Sequence, residues 1–489
     1  MAWLTKSRFL SGLQCPKRLW FEVHQPLEEG LPDSAVFING RAVDQVAQTL
    51  KPGKIISREK GMPAAIAETT RLINSGAPSI MYQPAYRVGD WAVIADVVET
   101  REHGVTLTEV KSSTSVKPEH LPDVAFQTLV LRRAGVPIDR ALLSHVDRGF
   151  ELKTAGEYEG LLVEADVTAE VEACLPNIEE SARRLQGVMA GARPVVAMGE
   201  QCTAPYECPF IERCTAERGG LPEYPVSLLP RGGKTAQGLL GDGYEDLTAV
   251  PADRLTSVLH QRVHQATVSG DVYFDAAATA SLRPPQYPMS YLDFETIGLA
   301  VPEILGTHPY EQWPFQWSVH VEEAPDRVRH AEYLALERLD DLDALAQALL
   351  EAIPEEGPIF AYNASFERGV LERMALRLPA RGRALRLLAE RLVDLLPLTR
   401  AAYYHRDMKG SWSIKAVLPT IAPDLDYREL GEVQEGDGAQ WALLAIRSGE
   451  LPPGRREELR KALLEYCERD TWGLVVLRRF LVEGRLARS

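Results

Sequence analysis

Ser290 to Gly298, SYLDFETIG, divides the 489-residue chain and gives its second half a direction. A short apolar run ends in Asp293-Phe294-Glu295-Thr296. On a strand, side chains alternate faces, so Asp293 and Glu295 point the same way. Two carboxylates side by side repel unless a cation sits between them, and hard oxygen ligands at this spacing suit Mg2+ or Mn2+. A lone D-x-E also suits a strand that runs out into a polar turn. The metal reading therefore depends on partners elsewhere in the chain.

Downstream, FQWSVHVEE reads as another strand, and a helical stretch spans about Asp340 to Ala352. GPIFAYNASFERGVLERMALRL runs from a buried strand into a helix, which puts Glu367 where the strand hands over. Asp394, in RLVDLLPLTR, has no firm role. LRKALLEYCERDTWGLVVLRRFL carries a strong amphipathic helix pattern. On it Tyr466 and Asp470 are four apart and share a face, while Cys467 reads as a packed thiol. In this order Asp293, Glu295, Glu367, Tyr466 and Asp470 resemble the DnaQ-like, DEDD-type 3'-5' exonucleases, in the variant that ends in Tyr-x-x-x-Asp. The resemblance spans residues 288 to 482 and implies a ribonuclease H-like fold. It further implies two metal ions on Asp293, Glu295, Glu367 and Asp470, with Tyr466 orienting the attacking water. Glu367 stands where that pattern has Asp, which keeps the charge and adds a methylene. GSWSIKAVLP (410–419) resembles a segment of bacterial proteins that join two such halves.

The first half carries a second set. RVGDWAVIADVVET and GVTLTEVK read as neighbouring strands, Trp91 to Glu99 and Val105 to Val110, with Asp96 in the first and Glu109 and Lys111 on one face of the second. An Asp and a Glu can hold a divalent ion, and a lysine two positions on can orient or help deprotonate water. A helix with Gln127 follows. Cys202, Cys208 and Cys214 are spaced by five residues each, with prolines between, in a loop that presents sulfur inward. Cys15 is the candidate fourth ligand, and Cys174, in a helical stretch, reads as core. Paired zinc knuckles are missing, which favours an iron-sulfur cluster. The order of these parts resembles the RecB-like PD-(D/E)XK nucleases, especially the iron-sulfur exonucleases of CRISPR adaptation and AddB-type recombination enzymes. The resemblance covers about residues 8 to 220. It implies catalytic Asp96, Glu109, Lys111 and Gln127, metal on Asp96 and Glu109, and a [4Fe–4S] cluster on Cys15, Cys202, Cys208 and Cys214. Ala95 stands where the motif has Pro. Asp44 stands near the place of a metal-binding His, either as a replacement ligand or as a solvated side chain.

Length predicts more than one domain, and 45% hydrophobic with 25% charged residues is ordinary globular composition. The expected organisation is α/β: a PD-(D/E)XK restriction-endonuclease-like domain over 1–223, a linker with a helical segment over 224–287, and a ribonuclease H-like domain over 288–489. His260 and His264 fall on that linker helix and read as surface residues. GLLGDG lacks the Lys-Ser/Thr of a phosphate-binding loop, so no nucleotide-driven motor is expected. A net charge of −15 opposes nonspecific nucleic-acid binding by the whole surface but leaves room for local basic grooves at the arginine clusters, such as Arg377 to Arg386. No apolar run of membrane-spanning length and no signal-peptide core is present, so a cytoplasmic protein is expected. These readings converge on a two-site metal-dependent nuclease acting on single-stranded DNA or DNA ends in repair or defence, with a helicase or defence-system protein as partner. A nucleic-acid-binding scaffold with one inactive site, and an RNA-trimming exonuclease, stay open, because backbone hydrolysis uses the same ligands on either nucleic acid.

Overall fold

The computed structural model describes residues 2–27, 35–76, 78–102, 104–283 and 285–484. The chain is a mixed α/β protein of two compact units, the first formed by residues 1–220 and 299–311 and the second by 221–298 and 312–489. Among the described residues, no helix is long and apolar enough to cross a membrane.

The strands of the first unit are β1 (Leu4–Thr5), β2 (Lys54–Ile55), β3 (Ile80–Tyr82), β4 (Ala85–Val88), β5 (Trp91–Ile94), β6 (Val97–Arg101), β7 (Gly104–Lys111), β8 (Ile138–Val146) and β9 (Leu162–Asp166). Six of them form a sheet in the order β2-β3-β6-β7-β8-β9, and β1-β5-β4 form a small second one. β7 and β8 are parallel, joined through the helix His120–Arg133. That helix is buried along nearly its whole length, from Asp123 to Leu131. On one side Phe126 stacks on Phe9 of the helix Lys6–Gln14, with ring centroids 4.2 Å apart. This contact carries Lys6, one turn before Phe9, to the end of the central sheet. Leu299–Glu311 complete the unit, where Ala300 N donates to Asn39 Oδ1 at 2.7 Å and Leu152 N to the Thr307 carbonyl at 3.1 Å. The expectation for Asp96 needs correcting. It sits at the bend between β5 and β6, which belong to different sheets, and not within one continuous strand.

The second unit contains β10 (Tyr273–Phe274), β11 (Met289–Gly298), β12 (Gln312–Ala324), β13 (Arg327–Leu334), β14 (Ile359–Ala361), β15 (Leu392–Asp394) and β16 (Tyr403–Tyr404). Its main sheet is mixed, ordered β13-β12-β11-β14-β15, with β11 antiparallel to β12 and parallel to β14. Asp293 faces Ser318 across β11 and β12, and Glu295 faces Gln316. The face bearing these residues is covered by the C-terminal helix Arg455–Glu483. Gln316 Nε2 donates to the Leu463 carbonyl at 2.8 Å, and Ser318 Oγ meets Thr471 Oγ1 at 2.7 Å.

The stretch 224–287, expected as a linker, is built into this second unit. His260 and His264, expected on a surface helix, lie on Val258–Ser269 and are both buried, bonded to the carbonyls of Pro230 and Val250 at 3.0 and 2.7 Å. A buried imidazole needs a partner for its polar nitrogen, and each finds a backbone carbonyl 30 or 14 residues away along the chain.

Candidate functional site

Two carboxylate clusters and one cysteine cluster stand out. In the second unit Asp293, Glu295 and Asp470 each bring a carboxylate oxygen to within 4.8 Å of the others. Glu295 and Asp470 are buried and Asp293 is half-buried. Burial and the Asp470 charge push Glu295 up to about 8. Burial raises Asp470 to about 6, against the hydrogen bond donated by the Tyr427 hydroxyl and the charge of Lys415. Asp293 also rises, through burial and then the Asp470, Glu295 and Glu367 charges, while the Cys467 thiol donates to its Oδ2 at 3.6 Å. Three carboxylates pressed together repel one another, and this repulsion adds to burial in holding Asp293 and Glu295 above the usual carboxylate range.

Glu367 lies in the first turn of the helix Ser365–Arg377 that follows β14. It is 2% exposed, its Oε2 has no hydrogen-bond partner, and burial pushes it up to about 8. Its charge is felt by Asp293 and Glu295, so it faces the cluster, although it stands outside the three-residue group. Asp394 has a different task. Its Oδ1 accepts from Leu396 N at 2.9 Å and from Asn363 N at 3.0 Å, capping the helix Leu395–Ala402 and fixing the left-handed Asn363 (φ 69°). Tyr466 shares the helix face of Asp470 as its spacing predicts, and its ring meets Tyr427 edge-on at 6.2 Å. Tyr427 and Lys415, which sequence reasoning did not select, complete the surroundings.

The first cluster is arranged otherwise. Glu109 is 1% exposed and receives Lys111 at 2.6 Å, Lys6 at 2.8 Å and Gln127 Nε2 at 2.6 Å. Asp123, four residues before Gln127 on the same helix face, accepts from Lys111 at 2.6 Å and from Gln127 at 2.8 Å. Burial works against the charge on Lys111 and Lys6, yet the neighbouring carboxylates outweigh it and hold both ammonium groups above the ordinary lysine range. Conversely, burial opposes the Glu109 charge, but the two lysines hold it well below the usual carboxylate range. In this arrangement the Lys111 ammonium donates to both Glu109 and Asp123. Asp96 accepts from Val110 N at 2.8 Å and is raised by burial and by Glu109. Asp44 is half-buried and pushed to about 6 by burial and the Glu109 charge. The charges of Lys6 and Lys111 act on it in the opposite sense, so Asp44 lies within electrostatic reach of the cluster. Lys6 and Asp123 were not selected from sequence.

Cys15, Cys202, Cys208 and Cys214 line one small cavity with Arg18, Phe21 and Phe210. Cys15 ends the helix Lys6–Gln14 and begins Pro16–His24. Gln14 ties that corner to the cysteine loop by donating to the carbonyls of Gln201 at 2.8 Å and Tyr206 at 2.6 Å. No three of the four sulfurs lie mutually within 4.8 Å. Lys17, Arg193 and Arg213 crowd the Phe21 ring beside them, a cationic setting suited to thiolates. Cys174 packs against the main core of the first unit, away from this cavity.

One further group, His320, His330 and Glu468, also gathers within 4.8 Å. The two imidazoles stack at 4.5 Å with an interplanar angle of 26°, and His320 Nδ1 meets Thr471 Oγ1 at 2.8 Å. Imidazole lone pairs lie in the ring plane, so stacked rings point theirs side by side. This geometry does not aim both nitrogens at one ion.

Residues 290–413 match the family described as "Domain of unknown function (DUF2779)". That segment contains Asp293, Glu295 and Glu367 and stops short of Tyr466 and Asp470. The chain is also similar to the "Uncharacterized protein MG366 homolog" of Mycoplasma pneumoniae, 27% identical over 210 residues, which is 39% of this chain and 32% of the relative. The match thus spans about a third of the relative's length. Neither description names an activity, so a functional reading starts from the geometry.

Proposed function

We propose that this protein is a metal-dependent nuclease with two separate sites that hydrolyse the phosphodiester backbone, one in each unit. The second unit is read as a ribonuclease H-like exonuclease of the DEDD type and the first as a RecB-like PD-(D/E)XK nuclease. The observation that carries the proposal is the convergence of Asp293, Glu295 and Asp470 within 4.8 Å. Glu367 and Tyr466 stand beside them.

Mg2+ or Mn2+, when bound, would supply Lewis acidity toward the phosphodiester oxygens. Asp293, Glu295 and Asp470 would hold it, with Glu367 adding a further carboxylate. The Tyr427 hydroxyl fixes the rotamer of Asp470, and the Cys467 thiol steadies Asp293. Tyr466 orients the water whose oxygen bonds to phosphorus. As the phosphorus–oxygen bond to the departing sugar breaks, the attacking water gives up a proton to solvent and the sugar oxygen takes one from solvent. Because every nucleotide offers the same backbone, no base-reading element is required. In the first unit, Asp96, Glu109 and Asp44 would hold the metal, and Lys111 and Lys6 would place positive charge beside the phosphate.

The first unit is further proposed to hold an iron-sulfur cluster on Cys15, Cys202, Cys208 and Cys214. A single tetrahedral zinc ion draws its sulfurs to about 3.8 Å from one another. The four cysteines line one cavity, and the paired knuckles usual for zinc are missing from their spacing. Anaerobically purified protein should be brown, with absorption near roughly 400 nm as thiolate-bound clusters show. Cys208→Ala should bleach it and Cys174→Ala should not. Colourless protein with stoichiometric zinc overturns this part.

One observation favours a second reading for the first unit alone. Glu109 and Asp123 are already satisfied by Lys6, Lys111 and Gln127, as they would be in a nucleic-acid-binding platform without turnover. The deciding experiment incubates purified protein with end-labelled single- and double-stranded DNA and RNA, with Mg2+, Mn2+ or EDTA. Cleavage that requires the metal and survives Lys111→Ala but not Asp293→Ala supports the second site. No cleavage of any substrate by protein that binds Mn2+ refutes the nuclease reading.

A further inference from the structure

Lys415 is a cation of the second unit to which nothing above gives a task. It sits in the first turn of the helix Ile414–Ile421, capped by Ser413, whose side chain accepts from Ala416 N at 3.3 Å. The backbone leading to it is fixed on both sides. The Trp412 indole donates to the Tyr403 carbonyl at 2.8 Å, and the Tyr362 hydroxyl donates to the Trp412 carbonyl at 2.6 Å. This helix is also pressed against the C-terminal helix. A Cβ on Gly473 would run into the Leu418 side chain, so the two helices approach closely here. The lysine is thereby delivered to the helix face that carries Tyr466 and Asp470.

Its ammonium is 2.5 Å from the Gln434 carbonyl and 3.3 Å from the Tyr466 hydroxyl, and lies 5.0 and 5.4 Å from the ring centres of Tyr466 and Tyr427. Among the described residues no carboxylate forms an ion pair with it, although four carboxylates face this site. Its charge still reaches Glu295 and Asp470, pulling both down against their burial. A half-buried cation that has a carbonyl, a phenol and two aromatic faces for neighbours keeps donor capacity and an unneutralised charge. A cluster of carboxylates repels the phosphate of any incoming strand, and a fixed cation at its rim offsets that repulsion.

We propose that Lys415 is a substrate-binding residue of the second site, its ammonium contacting a non-bridging phosphate oxygen of the nucleic acid strand beside the Tyr466 hydroxyl. This rests on the nuclease reading given above. It assigns to the segment GSWSIKAVLP a chemical purpose, recognition of backbone phosphate independent of base, and it separates Lys415 from the metal-holding carboxylates.

The test uses the whole chain in a Lys111→Ala background, so that only the second site turns over a 3'-labelled single-stranded oligonucleotide with Mn2+. Lys415→Met is expected to lower kcat/KM by about tenfold or more, and to reduce the slope of log(kcat/KM) against log salt by about one, as loss of one phosphate contact does. Lys415→Arg should restore most of both, and Mn2+ binding by calorimetry should not weaken in either variant. Should Lys415 act only by holding Tyr466, its effect would vanish in a Tyr466→Phe background, whereas a direct phosphate contact multiplies with that substitution. An unchanged salt slope in Lys415→Met, or no added effect in the double variant, overturns the proposal while leaving the nuclease reading intact. If the Lys111→Ala protein binds Mn2+ and cleaves nothing, both fall together. Should Lys415→Met melt early, Lys415→Gln, which can still donate to the Gln434 carbonyl, is held to the same salt-slope criterion.

Discussion

The two carboxylate clusters solve one electrostatic problem in opposite ways. In the first, Glu109 and Asp123 are interleaved with Lys6, Lys111 and the Gln127 amide, so charge is balanced by the protein itself. In the second, Asp293, Glu295 and Asp470 meet with Tyr427, Tyr466, Cys467 and the more distant Lys415 to soften them. On the proposed reading, a metal would enter the first network only by rearranging ion pairs, whereas in the second it would relieve the repulsion among the carboxylates. Stability without metal and dependence on metal should therefore differ between the units.

The largest expected difference is in activity. Asp293→Asn should lower hydrolysis by the second site on the order of 10³-fold, the scale on which loss of a charge-stabilising group shows. Glu367→Gln should do the same with the fold intact, because the buried, unpartnered Oε2 loses only its charge. Single-turnover rates in the Lys111→Ala background measure both. Full activity in Glu367→Gln would confine the metal to the three-residue group.

Next in size is an effect on stability that should change sign between the units. Glu109→Gln leaves two ammonium groups short of a partner and should cost about 3 kcal/mol, the low end for breaking a buried pair. The lysines keep 27% and 24% of their side-chain surface exposed, which moderates the loss. Asp470→Asn, measured in EDTA, removes a repelled charge and should raise the melting temperature. Hydrogen exchange on peptides from each unit localises both changes. If Asp470→Asn destabilises as Glu109→Gln does, the contrast between the sites is wrong.

A pH series sharpens the same point. Glu295 and Glu367 rise from the ordinary 4.5 to about 8 when folded. Between those values the folded second unit binds more protons than its unfolded chain, so in EDTA its stability should fall as pH rises from about 4.5 through 8 and flatten above. In the first unit Asp44, pushed to about 6, and Asp96 have the same sign. Asp123, also raised, adds to them. Glu109, held well below its usual range, adds no slope in this window, because its contribution is fully present above the unfolded value; it destabilises the unit only as pH falls below about 4.5. Saturating Mn2+ should abolish the decline in the second unit, since metal binding favours the ionised carboxylates.

How much of this was legible in the sequence follows from the distances over which each pattern acts. Asp293 and Glu295 alternate on one strand, Tyr466 and Asp470 share one helix face, and Glu109 and Lys111 lie two apart, so local periodicity placed them. Asp123 carried a readable signal, four residues before Gln127, that was passed over. Lys6 did not, since its partner Glu109 lies 103 positions away and only the Phe9–Phe126 stack brings it there. Tyr427 and Lys415 reach Asp470 and Tyr466 across 43 and 51 positions. The same limit hid the burial of His260 and His264, whose partners are backbone carbonyls, a type of partner that composition does not reveal. Proline and glycine punctuation suggested an independent linker over 224–287, whereas turns of that kind also occur inside a packed unit, as here.

The smallest predicted effect decides whether Asp394 belongs to the second site. The sequence left it without a firm role, while the structure has it bonding Leu396 N and Asn363 N through a single oxygen. A capping carboxylate replaced by alanine costs about 1 kcal/mol. Asp394→Ala should therefore lower stability by that amount, while Asp394→Asn, whose amide oxygen can still accept both hydrogen bonds, should cost only a fraction of it. Neither should change Mn2+ affinity or the single-turnover rate by more than about twofold, because the hydrogen bonds of Asp394 go to backbone and its charge reaches the site only by raising Glu367, behind the effect of burial. The asparagine variant is the decisive one, for it keeps the hydrogen bonds and removes the charge. If Asp394→Asn melts like the parent protein yet loses Mn2+ binding, then Asp394 is a metal ligand, the cluster is larger than the three residues that gather now, and Glu367 loses its place as the fourth carboxylate.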